Sequence, residues 1–142
     1  MFSRRKGMRG QSPVEMALAL PALVLLLVVV GDFARVLYAS IGVANAARAG
    51  VQYGAQSYVT AINYTGMQTA AVNDGQNIAG ISATATDFCM CNGDKVACSP
   101  PGCAEPQLFV QVTTQATFTT LLNYPGIPSP IPLKSTAIME VQ

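Results

Sequence analysis

Four cysteines between residues 89 and 103 are the side chains whose types and spacing most directly suggest chemistry: Cys89, Cys91, Cys98 and Cys103. Four thiolates could bind a zinc ion. Their spacing, C-x-C-x6-C-x4-C, lacks the paired C-x2-C knuckles that bring two thiolates onto one tetrahedral metal. In a Pro- and Gly-rich loop outside the cytoplasm, cysteines are typically oxidised to disulfides. We therefore predict two disulfides, with the zinc site as the alternative and no other metal or cofactor.

The pairing of these cysteines depends on how the chain folds back after Cys91. Cys89 and Cys91 are two apart at the end of a predicted strand, so both point to one face and cannot easily pair with each other. Asn92-Gly93-Asp94 is a strong turn signal. Folding back there favours a nested arrangement, Cys91 with Cys98 and Cys89 with Cys103. The crossed arrangement, Cys89 with Cys98 and Cys91 with Cys103, is the alternative.

Catalytic chemistry has few candidates in this chain. It contains no His, the commonest general base and metal ligand. An acid pair such as Asp87 and Asp94, or a serine with Lys95, could in principle react, but nothing in the sequence orients any of them. We predict a protein that is not an enzyme and has no small-molecule substrate.

Glu15 stands at the head of an apolar run from Val14 to Gly31, in which only Glu15 and Pro21 interrupt 18 consecutive positions. A helix of that length spans about 27 Å, close to the ~30 Å hydrocarbon core of a bilayer. The run exceeds the ~7–15 residues of a secretory signal peptide, and Asp32 follows it directly. We expect one retained membrane span over about residues 14–31. Secretion after cleavage is the alternative.

The charges are unevenly distributed along the chain. Four of the eight basic residues precede residue 10, and no acidic residue precedes Glu15. Because basic residues stay on the cytoplasmic side of a span, the N-terminus is predicted to be cytoplasmic and residues after about 35 to lie outside. The chain beyond residue 10 has four basic and seven acidic side chains, so we expect no nucleic-acid partner.

The pattern of apolar residues predicts an α+β fold. A helix should run from about Ser12 to about Thr60, leaving the bilayer and ending before "NYTG" (63–66), with a short second helix over about 67–79. A stripe of mainly small residues on the first helix would let another backbone approach closely: Ala39, Val43, Ala46, Ala47 and Gly50.

Three later stretches alternate with period two, as strands with one polar face do. They begin "ISATATDFCMC", "QLFVQVTTQAT" and "LKSTAIMEV". In sequence they predict a small antiparallel meander that lies on the helices and carries the disulfides. The connection "NYPGIPSPIP" (123–132) has four prolines and predicts a stiff segment rather than an element.

Three groups of residues follow one another over positions 9–54: Arg9, Gly10, Val14, Glu15, Ala17, Leu18 and Pro21; Asp32, Phe33 and Arg35; Asn45, Ala46, Ala47, Arg48 and Gly50. A basic leader, Gly10, and Glu15 ahead of an apolar helix resemble the class III signal of type IV pilins. The full ordered set resembles more narrowly the TadE-like pseudopilins of the tight adherence (Flp) pilus system. Met16 departs from the family, which has an aromatic residue there, as does Pro13, where small residues are usual.

The resemblance implies a minor pilin or pseudopilin that takes part in assembly of Flp pili and does no chemistry itself. A prepilin peptidase would cut between Gly10 and Gln11. Glu15 would then help to assemble subunits, by meeting the new α-amino group of a staggered neighbour. Other implied partners are pilins, the assembly platform proteins and inner-membrane lipid.

The implied organisation is a leader over residues 1–10, a transmembrane and projecting helix over 11–60, and an extracytoplasmic α+β domain over 61–142 with its disulfide loop at 89–103. The implied location is the bacterial inner membrane, as a single-pass protein with a cytoplasmic N-terminus and a periplasmic or extracellular C-terminal domain, with incorporation into the pilus left open. The alternative is an unprocessed single-pass envelope protein with a periplasmic binding domain.

Overall fold

The computed structural model describes residues 11–98 and 105–142, with side chains described from residue 13. Its elements are α1 (Gln11–Gly54), α2 (Tyr58–Ala61), α3 (Tyr64–Asp74), β1 (Ser82–Cys91), β2 (Asp94–Val96), β3 (Gln107–Phe118) and β4 (Ile131–Glu140). A long apolar N-terminal helix followed by an antiparallel sheet confirms the predicted α+β class. The chain divides into two compact units, residues 1–35 (unit 1) and 36–142 (unit 2).

The described part of unit 1 is the first part of α1, which contains the predicted apolar run. Large apolar side chains are exposed around its whole circumference, including five in succession from Leu23 to Leu27. A helix that is apolar all round belongs in a membrane or a large protein core rather than in water. Pro21 lies inside this helix, and such breaks in the backbone hydrogen-bond ladder are tolerated in membrane helices.

Unit 2 has its main core where the second part of α1 and helix α3 pack against the sheet. The buried residues of this core are Val51, Ala55, Ala61, Met67, Ala71, Val110 and Val112. A smaller cluster joins Val43, Ile78 and Ala116. The small residues of the predicted stripe face inward here, since Val43, Ala46, Ala47 and Gly50 are all buried. The close approach predicted for this stripe is therefore made by elements of the same chain.

The helical region is interrupted once within the helix predicted to run to about Thr60, and again near Asn63, where the break was predicted. Helix α1 ends at Gly54, and Ser57 then caps α2, its hydroxyl oxygen accepting from the Thr60 amide. "NYTG" begins a helix rather than ending one, because the Asn63 side chain accepts a hydrogen bond from the Gly66 amide at 2.9 Å and caps α3. Polar side chains that bind nearby amides compete with helix continuation, which explains both breaks.

The strands form one antiparallel sheet in the order β2-β1-β3-β4. The alternation predicted for β3 is confirmed: Val110 and Val112 are buried in the core, whereas Gln111 and Thr113 lie on the opposite face. The predicted meander corresponds to β1, β3 and β4. The fourth strand, β2, was not predicted, because three residues are too few to show an alternating pattern.

The Pro-rich connection between β3 and β4 contains no helix or strand over residues 119–130, as expected. Pro132 falls inside β4 rather than in the connection, opposite Thr117 of β3. Strand β4 is at an edge of the sheet, and edge strands accommodate a residue that has no amide hydrogen.

Candidate functional site

The predicted processing and assembly residues lie at the start of α1. Gly10 is outside the described residues, and Gln11 is the first residue of the helix, with its side chain not described. Glu15 lies one turn further on, where its side chain is exposed between the exposed apolar residues Val14 and Met16. This helix head therefore presents one carboxylate on an otherwise apolar surface. Cleavage after Gly10 and a role of Glu15 in assembly remain predictions.

A second carboxylate, Asp32, follows the apolar run. Its side chain is only 4% exposed, and Arg35 donates a hydrogen bond to Asp32 Oδ1 from Nη1 at 2.9 Å. Burial of a carboxylate is costly unless a positive group compensates its charge. The sequence showed these residues as a small acidic and aromatic patch before an arginine. The structure adds that the acid and the arginine form an ion pair.

The N-A-A-R-x-G group of α1, residues 45–50, contains both buried and exposed residues. Ala46, Ala47 and Gly50 are buried and serve the packing of unit 2, whereas Asn45 and Arg48 are exposed. A Cβ atom built on Gly50 would lie 2.9 Å from Val112 Cγ1 and 3.0 Å from the Met67 carbonyl oxygen. The fold thus requires the small residues of this group. Its two polar residues lie on the surface, where they are available to a partner.

The candidate acid pair of a possible enzyme is not brought together. Asp94 pairs with Cys91, four residues and roughly 13 Å of strand away from Asp87. Asp87 instead accepts a hydrogen bond from the hydroxyl of Tyr64, and Lys95 Nζ lies 3.9 Å from the centroid of the Phe88 ring. Among the described residues, no group of three or more His, Cys, Asp or Glu could hold a metal ion.

The contact between Tyr64 and Asp87 fixes the start of α3 to strand β1. The hydrogen bond to the carboxylate raises the pKa of the Tyr64 phenol above its ordinary value of 10.0, and desolvation and the charge of Asp87 act in the same direction. This pair was not predicted from the sequence, because the two residues are 23 positions apart and no local pattern links them.

The disulfide arrangement corrects the favoured prediction. Cys89 is joined to Cys98, with 5.0 Å between their Cα atoms, so the nested pairing of Cys98 with Cys91 and of Cys89 with Cys103 is wrong. Cys91 is also disulfide-bonded. Cys103 is outside the described residues.

The register of the β1–β2 hairpin explains the correction. Asn92 and Gly93 have φ values of 52° and 93°, the positive angles of a two-residue type I′ turn. This turn places Asp94 opposite Cys91 and Val96 opposite Cys89. Continued by two residues, this register would bring Cys98 to the level of Asp87. Cys89 is two residues of strand from that level, whereas Cys91 is four residues, about 13 Å, from it. The turn itself was predicted, whereas the pairing of the cysteines follows from its register.

Comparison with known protein families identifies a match to α1. The model of a family described as TadE-like protein matches residues 10–52, and no curated protein or solved structure matches the chain. The predicted resemblance is thus confirmed for the segment from Gly10 to Gln52. The match supports a protein associated with the Tad pilus, in a family of pilus components rather than enzymes. Within the described residues, one helix is long and apolar enough to span a membrane, with a mean hydropathy of 2.5 over its most apolar window. It fits a single-pass membrane protein of that system.

Proposed function

Because residues 10–52 are TadE-like, we propose that this protein is a minor pilin or pseudopilin that takes part in assembly of Tad (Flp) pili and does no chemistry of its own. The match itself carries the proposal, since it begins at the glycine of the expected cleavage site and includes Glu15, the apolar run and the N-A-A-R-x-G group.

The proposed path begins in the bacterial inner membrane. The four basic residues before residue 10 hold the N-terminus in the cytoplasm, where a prepilin peptidase cuts between Gly10 and Gln11. The domain after the span lies in the periplasm or outside the cell. An oxidising compartment of this kind suits a domain with the Cys89–Cys98 disulfide.

In the membrane, the mature protein associates with other pilins and with the assembly platform. The exposed apolar surface of α1 provides contacts for lipid and for neighbouring pilin helices. The exposed carboxylate of Glu15 meets the α-amino group of a staggered neighbour, because opposite charges attract strongly where water is scarce.

N-terminal sequencing of the protein extracted from membranes tests the proposal. In cells that contain the Tad prepilin peptidase, Gln11 should be the first residue, and in cells without it the leader should remain. Gly10→Leu should also leave the leader uncut, because the peptidase takes a small residue before the cut. The matched control is Gly7→Leu, a change of the same kind three residues earlier.

Each other outcome identifies a different protein. A leader retained in the presence of the peptidase would favour the unprocessed envelope protein with a periplasmic binding domain. A first residue beyond the apolar run would indicate a secreted protein. A Gly10→Leu variant that still begins at Gln11 would contradict processing by a prepilin peptidase.

A further inference from the structure

The direction of β3 along α1 defines which end of unit 2 is close to the predicted span. A Cβ atom built on Gly54 would lie 3.3 Å from Val110, whereas Thr114, further along β3, donates a hydrogen bond to the carbonyl of Val43 at 2.7 Å. As β3 proceeds, its contacts therefore move toward the beginning of α1. Strand and helix run antiparallel within this unit.

The end of β3 and the first residues of unit 2 lie at a similar height along the axis of α1. Phe118 lies four residues beyond Thr114, about 13 Å along the strand. Val36 lies seven residues before Val43, about 10 Å along the helix in the same direction. The connection that follows Phe118, residues 119–130, thus leaves unit 2 at the end where the chain enters from the apolar run.

Chain length keeps that end near the membrane surface. Val36 follows Gly31, the last residue of the apolar run, by only five residues, and five extended residues span at most about 18 Å. The start of unit 2 therefore cannot lie far from the bilayer that the run spans.

The connection has the composition of a segment that contacts lipid. No charged residue occurs between Glu105 and Lys134, and the connection exposes three large apolar side chains to its surroundings: Leu121, Leu122 and Ile127. Lys134, the first charge after it, is exposed in β4 and suits anionic lipid headgroups. At the same end of the unit, Tyr38 is exposed and its hydroxyl accepts a hydrogen bond from Asn77, and tyrosine is enriched at membrane interfaces.

We infer that the connection over residues 119–130 is a second membrane contact, which lies on the outer surface of the bilayer and places Leu122 and Ile127 in its interfacial region. The inference rests on the membrane topology proposed above. It adds a lipid-facing surface to unit 2 that lies outside the TadE-like segment.

The absence of Trp from the chain permits a direct test with single tryptophans. Full-length Ile127→Trp and Leu122→Trp variants are reconstituted in vesicles of phosphatidylethanolamine and phosphatidylglycerol, with and without brominated acyl chains that quench indole fluorescence on contact. Val59→Trp is the matched control, because Val59 is also an exposed apolar residue but lies in α2, beside the opposite end of the sheet. Leu25→Trp, within the apolar run, reports whether the chain spans the bilayer.

The expected result is quenching and a blue-shifted emission for Leu25→Trp, Leu122→Trp and Ile127→Trp, and neither for Val59→Trp. Quenching at position 25 without quenching at 122 and 127 would overturn the membrane contact while leaving the span intact. Blue-shifted but unquenched emission at 122 and 127 would also overturn it, and would indicate that protein covers the connection. No quenching at position 25 would contradict the proposed membrane span, and therefore also the inference that rests on it. Equal quenching at position 59 would contradict a contact confined to this connection.

Discussion

Thr114 donates a hydrogen bond from its side-chain hydroxyl to the main-chain carbonyl of Val43 at 2.7 Å, and both residues are buried in unit 2. The two residues are 71 positions apart. This bond places a polar side chain among the apolar residues that β3 presents to α1. A buried hydroxyl needs such a hydrogen-bond partner. The bond therefore favours one position of β3 along α1.

Thr114→Val should therefore lower the free energy of unfolding by about 1 kcal/mol, the usual net value of one buried hydrogen bond. The cost stays near that value because valine has a similar shape to threonine. The Val43 carbonyl also lies within α1, where it can accept a hydrogen bond from a main-chain amide of the helix. Denaturation of the full chain in detergent, followed by circular dichroism, measures the change. Thr117→Val, at an exposed position of the same strand, should change stability by less than about 0.5 kcal/mol. Equal effects at both positions would contradict a role for the bond.

Gly50→Ala should destabilise unit 2, although alanine normally favours a helix over glycine by about 1 kcal/mol. The new Cβ would lie 2.9 Å from Val112 Cγ1 and 3.0 Å from the Met67 carbonyl oxygen, and overpacking of this kind typically costs 1–3 kcal/mol. Gly31→Ala is the control, since nothing lies within 4 Å of a Cβ built there. The two variants should differ in the sign of their effect in the same denaturation experiment. A stabilised Gly50→Ala variant would show that the neighbours relax.

The cysteine pairing can be checked by alkylation. In Cys98→Ser the freed thiol should be that of Cys89, its partner in the structure. Because Cys91 is also disulfide-bonded and Cys103 is the remaining cysteine of the sequence, Cys103→Ser should free Cys91. Cyanogen bromide cleaves after Met90 and separates the two labelled sites for mass spectrometry. Label on Cys91 in Cys98→Ser would restore the nested pairing.

The two cysteine variants should also destabilise the chain by similar amounts. The Cys89–Cys98 loop has a sequence separation of 9, for which loop entropy gives about 2.6 kcal/mol. A bridge from Cys91 to Cys103 would close a loop only slightly longer. A nested arrangement would make Cys103→Ser more damaging than Cys98→Ser by about 0.6 kcal/mol on the same model, against about 0.3 kcal/mol for the crossed one. Unfolding of both variants with the free thiol blocked therefore serves as a consistency check on the alkylation result, which decides the pairing.

The features that local pattern determines were predictable from the sequence. Alternation along β3 identified which side of the strand is buried, because side chains point to opposite faces with a period of two. Asn92-Gly93 marked its turn because both residues accept positive φ. The helix break near Asn63 was predicted. The break near Ser57 had a local signal as well, namely a side chain that caps helices, but the abundance of good helix formers concealed it.

The features that depend on how elements dock were not predictable. The bond between Tyr64 and Asp87 exists only because α3 packs on β1. The cysteine pairing lies between the local features and those that depend on docking. The register of a two-residue turn brings Cys98 nearer to Cys89 than to Cys91. The predicted processing site at Gly10 rests on the basic leader, the spacing to Glu15 and the family match.

The Tyr64–Asp87 hydrogen bond should make stability depend on pH in the alkaline range. The pKa of Tyr64 is raised in the folded chain above 10.0, first by this hydrogen bond, so the phenol binds its proton more tightly when folded than when unfolded. The stabilisation is therefore complete below about pH 10 and is lost as the pH rises through the folded pKa. Tyr64→Phe should abolish this part of the pH dependence, measured as the difference in unfolding free energy between variant and wild type from pH 8 upward.

Asp87→Asn is the matched variant for that measurement, because it keeps an acceptor for the hydroxyl but removes the charge. It should show a smaller alkaline loss than the wild type. A difference that stays constant above pH 10 would contradict a raised pKa for Tyr64.

Replacement of Glu15 should weaken association between subunits without affecting cleavage or insertion. The side chain is exposed at the head of α1, so its replacement should not disturb a packed core. Its removal should not impair insertion, since a charge near a helix end costs less than the ~2.5–3.5 kcal/mol found at the centre of a span. Both Glu15→Ala and Glu15→Gln should behave alike, because the proposed contact with a neighbouring α-amino group needs the charge and not the shape.

Crosslinking to the major pilin in cells measures this association. Loss of an attraction of about 1.4 kcal/mol would lower it about tenfold, with the mature N-terminus at Gln11 unchanged. Glu140→Gln, which removes an exposed carboxylate from β4, should leave the crosslinks at the wild-type level. Undiminished crosslinks in both Glu15 variants would mean that this carboxylate only favours the helix N-terminus, where the dipole stabilises an acid by about 0.3–1 kcal/mol. Loss in Glu15→Ala alone would point to a hydrogen bond that glutamine can replace, rather than to pairing of charges.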